Sequence, residues 1–123
     1  MSTQLWDIYD EIRAERRRAH EKHGDTSMEA NPVDDMNRLT ILVEEVGEVA
    51  KEFNEARHNG GGVDLARLRK ELIQTATMAA AWADAICWGC KGTRLDSSGA
   101  NQCHDCGGDG YMATEWSEVG ADA

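Results

Sequence analysis

The chain contains one proline, and its seven aromatic residues are four tryptophans, two tyrosines and a single phenylalanine. That scarcity argues against a disordered, proline-rich tail and against a β-sandwich. No apolar run reaches the roughly 18 residues of a membrane span, and the longest uncharged stretch, Leu72 to Ala83, is alanine-rich and too short. Met1 to Asp10 holds no basic n-region and no apolar h-region, so no secretory signal is expected and the default compartment is cytoplasmic. Bases are also in deficit, at 13 Lys and Arg against 23 Asp and Glu, for a net charge of −10. Nucleic acid is therefore an unfavourable partner, because its phosphates must be neutralised by Lys and Arg. A single nucleotide is not excluded, since carboxylates reach phosphates through divalent cations. What remains is 123 residues, 41% hydrophobic and 29% charged, which is one domain with room for a small appendage.

The helical signal is strong over the first two thirds. Leu5, Ile8, Tyr9 and Ile12 recur at i, i+3, i+4 and i+7, and that helix runs to His23-Gly24. Gly24, Asn31 and Pro32 mark Asp25 to Pro32 as a loop. Asp34 or Asp35 caps a second helix, with a stripe of Leu39, Leu42, Val43, Val46, Val49, Ala50 and Phe53, stopped by Asn59-Gly60-Gly61-Gly62. Asp64 caps a third, with Leu65, Leu68, Leu72, Ala76, Ala79 and Ala83 along one stripe. Its many alanines suit close approach in a bundle interior or a subunit interface. The expected organisation is an all-α helical domain over residues 1–86, a glycine- and cysteine-rich knuckle over 87–111, and an acidic flexible tail over 112–123.

The knuckle reads Cys87-x2-Cys90-x12-Cys103-x2-Cys106, with glycines behind each pair. Two Cys-x-x-Cys turns supply the four soft ligands that zinc takes in a tetrahedron. Two disulfides, or a redox or iron–sulfur role, are the alternatives, and a reducing compartment disfavours the disulfides. Four thiolates would fill the coordination sphere, which makes such a zinc structural. His104, between the second pair, reads as a surface residue. The Cys-x-x-Cys-x-Gly-x-Gly style resembles one zinc site of the cysteine-rich domain in DnaJ-type chaperones, over about 25 residues. That resemblance implies a metal-stapled loop and not chaperone activity.

The second chemical signal is acidic. On the second helix Glu45, Glu48 and Glu52 lie within about 60° of one another, beside the apolar stripe instead of opposite it. Glu71 flanks the third helix's stripe, after Arg67, Arg69 and Lys70. Carboxylates flanking a core either meet across a helix interface, where a cation relieves their repulsion, or take part in ordinary ion pairs.

Lys22-His23-Gly24-Asp25, the block Ile41-Leu42-Val43-Glu44-Glu45-Val46-Gly47-Glu48, and Glu71-Leu72 leading to Ala80-Ala81-Trp82 together resemble the MazG-like all-α nucleoside triphosphate pyrophosphohydrolases, over Arg18 to Ile86. The family pattern is E-x-x-E followed by E-x-x-D on the next helix. Glu45 and Glu48 match the first pair and Glu71 opens the second, but Gln74 stands at the aspartate position. Asp84 is about 20 Å beyond Glu71 along the helix and on another face. The resemblance implies hydrolysis of a (d)NTP to monophosphate and pyrophosphate, with Mg2+ or Mn2+ held by Glu45, Glu48, Glu71 and the neutral oxygen of Gln74. Glu44 or Glu48 would orient or deprotonate the attacking water.

Within that reading Arg18, Lys22 and His23 are candidates to reach phosphates, against a solvated basic face. Asn54 is a candidate to meet base or sugar, against surface placement. Trp82 and Phe53 either stack on a base or pack in the core. The family's fold is completed by pairing subunits, so a homodimer or tetramer is expected. The alternative function is a catalytically weak, zinc-stapled helical module that senses nucleotides or contacts a protein partner. Gln74 favours that alternative.

Overall fold

The computed structural model describes residues 3–24, 27, 28, 30 and 34–112, with side chains from residue 6 onward. Three helices follow in order: α1 (Thr3–His23), α2 (Asp35–Asn59) and α3 (Leu65–Ala85). The architecture is mostly helical. Among the described residues there are no strands, only two isolated antiparallel bridges, Ile86–Tyr111 and Leu95–Gln102, beyond the end of α3. No helix among them is long and apolar enough to cross a membrane. Most of the expected 25–32 loop, and the tail beyond Met112, lie outside the described residues.

Local chemistry sets the helix ends. Asp34 is the α2 N-cap, its carboxylate accepting from the Asn37 N–H at 2.8 Å. α2 ends at Gly60 in the left-handed region, φ 70°, a conformation that glycine adopts without a Cβ clash. Asp64 caps α3 by accepting from the Ala66 and Arg67 N–H groups.

α3 is the middle of the domain, packing against α2 on one side and α1 on the other, while α1 and α2 do not pack against each other. Ion pairs span both seams. Arg69 grips Glu11 of α1 with two bonds of 2.8 and 2.5 Å, Arg16 of α1 meets Asp84 of α3 at 2.7 Å, and Arg67 meets Glu52 of α2 at 3.2 Å. The interior is small-sided: Thr77, Ala81 and Ala85 are fully enclosed on α3.

The apolar stripes split in a way their periodicity does not reveal. On α2, Leu42 and Val49 turn inward, whereas Leu39, Val43, Val46, Ala50 and Phe53 are exposed, Val43 at 58% and Phe53 at 52%. The inward face of α2 carries Arg38, Glu45 and Glu52, spaced by sevens. On α3, Leu65, Leu72, Ala79 and Ala83 likewise face out. Phe53 therefore does not pack in a core formed by this chain alone. Trp82 is half-buried and donates to the Tyr111 hydroxyl at 2.9 Å.

Candidate functional site

The four cysteines converge. Their sulfurs all lie within 4.8 Å of one another, and no other group of acids, histidines or cysteines among the described residues does so. Cys87 and Cys103 Sγ are 3.9 Å apart, and Cys90 and Cys106 Sγ 3.7 Å. A disulfide would need about 2.05 Å. Four sulfurs at about 2.3 Å from a central zinc, at tetrahedral angles, stand about 3.8 Å from each other. The spacing fits a tetrahedral metal site and not two disulfides, and all four thiols are free.

The backbone around the sulfurs repeats itself with an offset of sixteen residues. Lys91 N–H donates to the Cys87 carbonyl and Gly107 N–H to that of Cys103, at 2.7 and 2.8 Å. Arg94 N–H reaches Cys90 Sγ at 3.4 Å, and Gly110 N–H reaches Cys106 Sγ at 3.3 Å. The bridges Ile86–Tyr111 and Leu95–Gln102 exchange under the same offset. Two equivalent turns thus face each other across the sulfurs, each giving a thiolate a backbone donor. Arg94 holds φ 68° where its counterpart is Gly110 at φ 88°. Burial pushes the Cys90 thiol up, but the N–H groups of Arg94 and Gly92 and the neighbouring thiols pull it lower, to about 6. Cys87 moves the other way: the Cys90 N–H favours its thiolate, but burial and the thiols of Cys90 and Cys106 outweigh it. The sequence-predicted ligands are thus brought together, and His104 is exposed beside them.

The second site is a cavity of about 710 Å³, in the usual range for small-molecule pockets, formed where α1 and α2 stand apart over α3. Arg18, Lys22 and His23 line it from α1, Glu44 and Glu45 from α2, and Lys70 and Gln74 from α3. Ala19, Met28, Ile41, Met78 and Ala81 give it an apolar part. The three bases read as phosphate candidates are therefore on its wall, although Arg18 also pairs with Glu15.

The remaining carboxylates are less convergent. Glu45 is pushed above the ordinary carboxylate range by burial first, then by the charges of Glu71, Glu48 and Glu44. One oxygen of Glu71, Oε2, is buried without a hydrogen-bond partner. Glu45, Glu48 and Glu71 thus share one electrostatic neighbourhood, but their oxygens do not gather as the cysteine sulfurs do. Glu48 is exposed, and neither Glu48 nor Glu71 lines the cavity, so of the four predicted magnesium ligands only Glu45 and Gln74 are on its wall. Glu52 is buried against Arg67. Asn54 is exposed and away from the cavity wall.

Sequence reasoning passed over Ser27, Met28, Lys70, Arg38 and Tyr111. Ser27 and Met28 are buried and line the cavity. Arg38, 1% exposed, holds the Met28 and Ala30 carbonyls at 2.9 and 2.6 Å. A signal was available for Arg38: it stands seven residues before Glu45 and fourteen before Glu52, on the same helix face. Comparison with family models, with curated proteins and with solved structures finds no match to this chain.

Proposed function

We propose that the chain is a magnesium-dependent nucleoside triphosphate pyrophosphohydrolase, converting a (d)NTP to (d)NMP and pyrophosphate in nucleotide-pool cleansing or remodelling. The observation that carries this reading is the composition of the 710 Å³ cavity, where bases from α1 and α3 share one wall with Glu44 and Glu45 and with an apolar part. A triphosphate needs cationic side chains, a nucleobase needs apolar surface, and carboxylates supply hard oxygen ligands for a divalent cation. Burial first, and then the charges of Glu71, Glu48 and Glu44, raise the Glu45 pKa, and one Glu71 oxygen has no donor; a divalent cation would relieve both.

Magnesium, held by Glu45, Glu48, Glu71 and Gln74, would neutralise charge on the phosphoryl oxygens and acidify the attacking water. Glu44 or Glu48 is the group to orient that water. Arg18, Lys22 and His23 hold the phosphates. In this reading the cysteine cluster carries a structural zinc. The exposed stripes of α2 and α3 are covered by a second copy of the chain, giving a homodimer or a tetramer.

The test is pyrophosphate release from a panel of NTPs and dNTPs with Mg2+ or Mn2+, for wild type and Glu48→Ala. Metal-dependent pyrophosphate and monophosphate from wild type alone is the expected result. No turnover of any nucleotide by folded, zinc-loaded protein would overturn the enzymatic reading. A second reading, a nucleotide-sensing helical module, is favoured by the neutral Gln74 and by carboxylate oxygens that do not converge. It predicts nucleotide-dependent thermal stabilisation without turnover.

A further inference from the structure

The cysteine knuckle and the cavity are joined through two residues, Tyr111 and Arg38. The antiparallel bridge Ile86–Tyr111 places Tyr111 beside the exit of α3. That bridge is pinned by Cys87 N–H to the Gly110 carbonyl and Met112 N–H to the Ala85 carbonyl, both at 2.8 Å. From there the Tyr111 ring lies under the Arg38 guanidinium, 4.3 Å from its carbon. Its hydroxyl donates to Asp35 and accepts from Trp82 Nε1. Arg38 in turn spends its Nε and Nη2 on the carbonyls of Met28 and Ala30. Ser27 and Met28 are cavity wall.

Nothing in the cavity's own chemistry requires this chain of contacts. Burying a guanidinium is costly unless its donors are satisfied and its charge is met. Here its Nη1 lies 3.3 Å from the exposed Asp35, two donors go to backbone carbonyls, and the aromatic face is supplied by the knuckle. Withdrawing that face leaves Arg38 buried with one partner fewer, and its grip on Met28 and Ala30 weakens.

We propose that Tyr111 is a positioning strut: the metal-filled cysteine knuckle, through the Tyr111 ring and Arg38, sets Ala30 and the Ser27–Met28 wall of the cavity. Cavity shape is thereby tied to zinc occupancy. The proposal rests on the reading of the cysteine cluster as a metal site, but not on which ligand the cavity takes.

The readout is amide hydrogen exchange of the full chain, with zinc content measured in parallel. Two informative amides are already hydrogen-bonded, Ser27 N–H to the Gly24 carbonyl and Ala30 N–H to that of Ser27, each at 3.0 Å. A third, Cys103 N–H to the Arg94 carbonyl at 2.9 Å, reports whether the far side of the knuckle stays closed. Tyr111→Ala is expected to keep its zinc and Cys103 protection while speeding exchange at Ser27 and Ala30 about ten-fold, the scale of a desolvated cation–π contact. Stripping zinc from wild type with a chelator is expected to speed the same two amides to a similar extent. Stripping it from Tyr111→Ala should add nothing further there. If Tyr111→Ala loses zinc, Tyr111→Leu keeps apolar bulk against α3 without a π face and carries the same expectation.

Unchanged exchange at Ser27 and Ala30 in the zinc-loaded variant overturns the strut. Unchanged exchange there after chelation of wild type overturns the coupling. Wild type that takes up no zinc overturns the coupling too, through failure of the metal reading, and the zinc assay separates that case from the preceding one.

Discussion

Arg67 on α3 reaches Glu52 on α2 at 3.2 Å, and the Glu52 side chain is only 6% exposed while Arg67 is half open to solvent. The pair is asymmetric, and so are its expected mutants. Arg67→Ala leaves a carboxylate enclosed without its cation, at a cost of about 1–2 kcal/mol, discounted from a fully buried pair because solvent reaches Arg67. Glu55, the other carboxylate on Arg67 at 3.3 Å, is far more open, so Glu55→Ala is expected to cost less than about 0.5 kcal/mol. Urea unfolding of the two variants checks the order. Equal losses would place the energy in the surface pair.

The outward stripe of α2 makes a second prediction. Met36, Leu39, Val43, Val46, Ala50 and Phe53 follow alternating spacings of three and four, the a/d pattern of a helix that packs against another helix. Five of these residues are large apolar side chains at 43–69% exposure. Self-association would bury a continuous exposed row of this kind. In sedimentation equilibrium the wild type is expected to be a dimer or tetramer at micromolar concentration. Val46→Asp, with a charge at the centre of the seam, is expected to weaken association at least about 30-fold, the scale of an interface hot spot. A monomeric wild type at tens of micromolar would sink this assignment.

The stripes show where sequence reading reaches its limit. Asp34, Gly60 and Asp64 fixed the helix ends because capping is local chemistry, written within four residues. The four cysteines were legible for the same reason: their spacing is the site. Period alone cannot tell an apolar stripe that packs against its own chain from one that is left exposed. Leu42 and Val43 are neighbours in sequence, yet one turns inward and the other outward. Glu52 belonged to a carboxylate stripe by spacing, but its role is decided by Arg67, which a different helix delivers. Tyr111 and Arg38 are 73 positions apart, and no local pattern links them.

Glu45 supplies the pH prediction. Burial and the charges of Glu71, Glu48 and Glu44 raise its pKa above the ordinary glutamate value of 4.5. The folded chain therefore holds the Glu45 proton more tightly than the unfolded chain does. This contribution to stability is fully present below the unfolded pKa and is lost as pH rises through the folded one. Glu45→Gln, neutral at every pH, is expected to melt higher than wild type at pH 7, with the gap closing as pH falls towards 4.5. Millimolar Mg2+ should raise the wild-type melting temperature at pH 7 and shift Glu45→Gln less. A variant melting at or below wild type across the whole range would show that the carboxylate repulsion is unimportant.

The knuckle yields the last prediction. Its sulfurs are spaced for a tetrahedral ion, and each turn feeds one sulfur a backbone N–H. Purified protein is expected to carry one zinc per chain, with four thiols titratable only after denaturation or chelation. Gly110 is the sensitive backbone position, because it holds φ 88° and its N–H reaches Cys106 Sγ. A Cβ there would lie 3.1 Å from the Arg94 Nε, on a flexible side chain that need give only a few tenths of an ångström, so the strain of Gly110→Ala is mainly conformational. The left-handed backbone costs an alanine about 1–2 kcal/mol, which predicts roughly ten-fold weaker zinc retention against a competing chelator. Arg94→Gly relieves the equivalent strain at φ 68° in the opposite turn. It is expected to hold zinc at least as well as wild type, although a charged side chain has been removed. If Arg94→Gly instead loses zinc as readily as Gly110→Ala, the two turns are not equivalent halves of one site.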